Sequence, residues 1–127
     1  MDQEKISALL SLDPEDRYWA TVDRVAETGA FWTLHGESGW LTPLAPEGFE
    51  YLPVWSDRAL AQLIADLLFP GNTPTEITLE EFRAHWIDDL DEGGVRIGVF
   101  PDNDGTFWEV GAVTFYDALD DMVQTRI

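Results

Sequence analysis

Residues 78–105 read TLEEFRAHWIDDLDEGGVRIGVFPDNDG, and this stretch decides the fold class. Thr78 with Glu81 three positions later is a capping box that opens a helix. Leu79, Phe82, Trp86 and Leu90 recur at helical spacing, and Gly93-Gly94 ends the run. Val95, Ile97 and Val99 then alternate with the period of a strand. Asp102-Asn103-Asp104-Gly105 supplies a hairpin turn, and Phe107 to Val113 returns as the partner strand. A helix feeding an antiparallel hairpin points to α+β architecture.

The segments on either side fit that reading. Gln3 to Leu12 is a short helix with Ile6, Leu9 and Leu10 on one face. Asp13-Pro14-Glu15-Asp16 gives an N-cap, a proline at the first helical position and two acids in the first turn. Tyr18, Trp19, Val22, Val25 and Ala26 follow at helical spacing, and Gly29 is the stop. Ala30 to His35 alternates as a strand, Gly36-Glu37-Ser38-Gly39 turns, and Trp40-Leu41-Thr42 returns. Tyr51 to Trp55 is a strand whose Pro53 marks an edge or a bulge. Ser56 caps a helix from Asp57 to Phe69, and Thr75 to Ile77 form a short strand. Thr114-Phe115-Tyr116-Asp117 caps a last helix that buries Tyr116, Leu119, Met122 and Val123. The expected fold is α+β: a mainly antiparallel twisted sheet of about five or six strands with three to four packed helices. Residues 1–127 form a single domain, with 1–12 as an N-terminal helical extension.

Charge narrows the function classes. Twenty-five Asp and Glu face seven Lys and Arg, a net charge of −18 at pH 7, yet 45% of residues are apolar and six are Trp. A disordered acidic tail lacks such aromatics, so this is a folded core under a negative surface. The field repels nucleic acid and anionic membranes and draws in basic partners. No Cys means no disulfide framework, thiolate nucleophile or Cys-based zinc site. The acidic N-terminus is unlike a secretory signal, and no run approaches about 20 apolar residues. A cytoplasmic protein with no membrane contact is expected.

The acids sort by position. Glu15, Asp16, Asp57, Glu80, Glu81 and Asp117 stand in first turns of helices, where the dipole stabilises each by about 0.3–1 kcal/mol. Asp88, Asp89, Asp91 and Glu92 stand at a helix C-terminus, where the dipole opposes them. Asp88 and Glu92 also repel each other as an i,i+4 pair. Local stability disfavours the cluster, which makes it the candidate partner-binding site. Glu81 and His85 are four apart, but too few ligands accompany them for a metal site, and the expected role of His85 is pairing with Glu81 or Asp89. Gly36-Glu37-Ser38-Gly39-Trp40 is not a nucleophile elbow, and Asp102 to Gly105 lacks the distant bidentate Glu of a calcium loop. No catalytic residue, metal site or cofactor is assigned. Trp32, Trp55, Phe82, Trp86 and Tyr116 sit at core phases, leaving Trp19, Trp40 and Trp108 as candidate aromatic anchors in a binding surface.

Arg24-Val25-Ala26, Phe31-Trp32-Thr33-Leu34, Gly39-Trp40, Leu52-Pro53-Val54-Trp55-Ser56, Ile77 to Phe82 with Trp86, and Gly94-Val95 to Val99-Phe100-Pro101 occur in this order. In these pieces, across roughly Arg17 to Val123, the chain resembles a bacterial family known as domain of unknown function 2750. The resemblance implies a compact single-domain bacterial protein and brings no catalytic residue with it.

Two functional expectations follow. The first is a small intracellular acidic binding protein, immunity-like or regulatory, that docks a basic protein partner without catalysis. The alternative is a small-ligand or carbohydrate-binding protein, or a carboxylate-based enzyme, with a Trp-lined pocket. Either is a monomer or a homodimer, the latter through an edge strand near Pro53 or an exposed aromatic.

Overall fold

Local signals start most of the helices. In the computed structural model, which describes residues 2–126, helix α1 is Gln3–Leu10 and α2 is Pro14–Thr28. The Asp13 carboxylate accepts from the Asp16 N–H at the start of α2, and Gly29, at φ 83°, closes it. Strand β1 (Ala30–Gly36) turns into β2 (Gly39–Trp40), and β3 is Tyr51–Val54. Helix α3 (Arg58–Leu68) leads to β4 (Thr73–Thr78). Helix α4 covers residues 79–92, β5 is Arg96–Val99, β6 is Trp108–Val110 and α5 is Ala112–Arg126.

Among the described residues there are six strands, but they form two three-stranded sheets and not one. One has the order β2-β1-β4, all antiparallel. The other has the order β3-β5-β6, in which β3 runs parallel to β5. Pro53 explains the split. Trp32 and Trp55 exchange both backbone hydrogen bonds, at 2.8 and 2.9 Å, and so join β1 to the end of β3. The next pair in that register sets Leu34 opposite Pro53, which has no N–H to give. The Leu34 carbonyl accepts from the Leu41 N–H instead, and the Pro53 carbonyl accepts from the Thr33 hydroxyl at 2.6 Å. The seam is therefore one residue pair long. All four residues of β3 are buried.

Among the described residues five helices surround the sheets, the five segments that read as helical one by one, against the three to four expected to pack. Two starts also differ from the sequence reading. At α3 the Ser56 hydroxyl donates to the Asp57 carboxylate, and Asp57 turns to Arg24 without capping any N–H. At α5 the chain turns helical two residues before Thr114, with the Phe115 N–H donating to the Gly111 carbonyl. That start buries Ala112, Phe115 and Leu119, leaving Tyr116, Met122 and Val123 half-buried. One continuous apolar core results. Phe31, Phe82 and Phe115 meet in it with centroid distances of 5.2, 5.8 and 6.1 Å. Gly98 is required by a close approach: a Cβ there would lie 2.5 Å from the Tyr51 ring, which stacks on Phe107 at 4.2 Å.

The most unusual core member is charged. Arg17 is 2% exposed. Its Nη1 donates to the Leu12 carbonyl at 2.6 Å, its Nη2 to the Thr106 carbonyl at 2.9 Å and its Nε to the Phe100 carbonyl at 3.2 Å. Asp102 lies 3.5 Å away, and the guanidinium sits over the Phe100 ring. Phe100 is the one non-glycine residue at positive φ, 53°, among the described residues. Its N–H continues the parallel ladder to the Val54 carbonyl, and Arg17 holds its carbonyl on the other side. The strain is thus fixed from both ends.

Two outcomes follow for stability. Arg17→Met leaves three inward-facing carbonyls without their donor and Asp102 without its cation, and should lower unfolding free energy by about 3–5 kcal/mol in a denaturant titration. Burial lifts the phenol pKa of Tyr18 and Tyr51 above the ordinary 10.0. A folded pKa raised above the unfolded one gives stability that is complete below about pH 10 and is lost as pH rises through the folded value. The denaturant midpoint should accordingly fall above about pH 10, and fall less in the Tyr18→Phe/Tyr51→Phe double variant.

Candidate functional site

Helix α4 carries the acidic cluster and orients it through an irregularity. It begins with the expected capping box, in which the Thr78 hydroxyl accepts from the Glu81 N–H and Glu81 reaches back to the Thr78 N–H. Glu81 is therefore engaged with Thr78 and not with His85. An α-helical turn, Leu79–Glu81, gives way to a π-helical turn, Phe82–Trp86, where the Ile87 N–H donates to the Phe82 carbonyl. The α-helix resumes at Ile87–Glu92. In an unbroken α-helix, positions eight apart sit about 80° apart around the axis. The extra residue of a π turn absorbs most of that offset, so Phe82 and Leu90 both reach the core.

The same turn sets what the outer face presents. Asp88, Asp89, Asp91 and Glu92 are all exposed, and among the described residues none of them forms an ion pair. Gly94 takes φ 70°, letting the Gly94 and Val95 N–H groups bond the Asp91 and Leu90 carbonyls. The backbone thereby satisfies the helix end, while the side chains add negative charge to the negative pole of the dipole.

Beside this cluster lies a recess of about 350 Å³ lined by Trp40, Thr42, His85, Trp86, Asp89 and Leu90. Trp40 is 42% exposed. It meets Trp86 nearly edge to face, with centroids 4.7 Å apart and planes at 79°. His35, its cross-strand partner, packs on it at 4.8 Å. Both histidines of the chain thus border Trp40. The cross-strand pair follows from the four-residue turn Gly36 to Gly39; the contact with Trp86 comes from tertiary packing and has no signal in the sequence.

The other candidate anchors separate. Trp19 is 50% exposed at a shallow groove between α2 and α5, which Tyr18, Ala118, Asp117, Asp121 and Met122 also line. Trp108 is half-buried, 6.1 Å from the Tyr18 ring, and packs on the core. Among the described residues the structure does not bring Trp19, Trp40 and Trp108 into one surface; of the three, Trp40 shares a recess with Asp89 of the acidic cluster. A further cavity of about 310 Å³ lies against Lys5, Arg24, Ser56, Asp57 and Phe100. There Arg24 is committed to Glu27 at 2.9 Å and Asp57 at 3.4 Å, and the Asp57 bond holds the guanidinium pKa above its ordinary value. No group of three or more metal-ligating side chains occurs among the described residues. No helix among them is long and apolar enough to cross a membrane.

These features define an α+β protein with an acidic helix end flanked by an aromatic recess. Comparison with known families matches residues 18–119 to the family described as Protein of unknown function (DUF2750), and the chain belongs to that family. No curated protein and no solved structure matches it.

Proposed function

We propose that this protein is a small intracellular bacterial binding protein that holds a basic protein partner through Asp88, Asp89, Asp91 and Glu92. One observation carries the reading: four exposed carboxylates, none in an ion pair among the described residues, gather at the helix end the dipole makes least favourable for them. A partner's Lys and Arg side chains would relieve that repulsion on docking. Charge of this kind accelerates encounter more than it deepens affinity. Masking a cationic surface, as an immunity-like or regulatory protein does, needs no chemistry from the binder.

Trp19 supports a second reading. It is an exposed indole in a groove with two carboxylates, Asp117 and Asp121, which suits stacking on a sugar ring with hydrogen bonds at its rim. A saccharide panel that shifts the Trp fluorescence of the native protein, but not of Trp19→Phe, is the result expected under it; unchanged emission across the panel refutes it.

The docking reading is tested by kinetics. Association with a basic protein should slow by about tenfold or more from low to high salt. Replacing Asp88, Asp89, Asp91 and Glu92 together by Lys should remove most of that dependence. An association rate indifferent to salt would sink the proposal.

A further inference from the structure

Resting on the docking reading, we infer that the recess between Trp40 and Trp86 is a pocket for one arginine side chain of the partner, and that it discriminates arginine from lysine. The first argument is shape. The indoles stand at 79° to each other, and the larger part of the exposed aromatic surface belongs to Trp40. A flat guanidinium lies on such a face, whereas an ammonium is a compact, strongly hydrated point charge that keeps its water.

The second argument is the hydrogen-bonding sense of the wall. Asp89 can only accept. The Thr42 hydroxyl spends its hydrogen on the Glu50 carboxylate at 3.2 Å, which leaves its oxygen as a further acceptor in the recess. Guanidinium carries five N–H donors and no acceptor, and a carboxylate takes two of them side by side. The donors in the lining are the His85 ring and the indole N–H groups, so the preference rests on charge: Asp89 and the acids near it favour a cation, and an anion would meet them.

The third argument is the π turn. It places His85 and Trp86 at the recess in the middle of a helix whose ends obey ordinary α geometry. Such turns carry a backbone cost and occur often at binding sites. Asp88, Asp91 and Glu92 lie within one turn of Asp89 on the same helix, so the negative field of the cluster extends over the recess.

Two peptides of equal charge separate this inference from its foundation: glycine alternating with arginine, and glycine alternating with lysine, titrated calorimetrically into the full chain at low ionic strength. The arginine peptide should bind about fivefold tighter, the size of one exposed cation–π contact. Trp40→Ala should bring it down to the lysine value while the chain stays folded by circular dichroism, and Trp40→Phe should keep part of the preference. Equal affinities for the native chain, or a preference that survives Trp40→Ala, overturn the arginine pocket and leave acidic docking standing. Absence of binding by either peptide removes both.

Discussion

The Arg17 guanidinium is the constraint that ties the start of α2 to the β3-β5-β6 sheet. Three carbonyls from three separate segments converge on it: Leu12 before α2, Phe100 at the end of β5 and Thr106 in the β5–β6 turn. A charge with 2% of its surface in water carries a desolvation cost of several kcal/mol, offset only while every donor is used. Net stability of a domain this size is about 5–15 kcal/mol, so one misplaced carbonyl is a large fraction of the whole. The hub also explains why Phe100 tolerates a left-handed conformation. That backbone turns the carbonyl toward Arg17, while the Trp55 indole N–H bonds the next carbonyl, that of Pro101, at 3.1 Å.

Much of this was legible in the sequence wherever the controlling bond spans three or four residues. The caps at Asp13 and Thr78, the stop at Gly29 and the Asp102 turn are of this kind, since donor and acceptor lie within one turn of chain. Bonds between distant segments were not legible. The partners of Arg17 at Phe100 and Thr106 lie 83 and 89 residues away, and they are backbone atoms, which carry no sequence signal. Pro53 was readable as an obstacle to pairing. Where it interrupts pairing depends on the register with β1, and that register is a tertiary fact. The π turn hides for a related reason: Phe82, Trp86 and Leu90 satisfy a helical stripe closely enough that the extra residue leaves no gap. The acidic cluster was visible at once, whereas its aromatic neighbour arises from β2 and α4 meeting in space.

The two components of the candidate site act over different ranges. Exposed carboxylates extend their influence to about 8–10 Å at physiological ionic strength and favour any cation. The recess acts only at contact and depends on ring geometry. Family membership assigns neither role, so the distinction comes from the chemistry of the side chains: on the proposed reading the helix end would raise the local concentration of basic partners, and the indole corner would sort among those that arrive.

The additional residue in the π turn has a consequence for comparing relatives of this chain. Each residue in an α-helix advances the side chains by about 100° around the axis. A relative lacking one position between Phe82 and Trp86 would regain an ordinary α-turn there, and seven residues at that pitch return to within about 20° of the starting direction. Its acids would keep their order and point to the same side as here, whereas a relative of equal length without the wide turn would swing them by about 100°. A one-residue gap at this place in an alignment therefore marks a change of helical pitch and not a rotated surface.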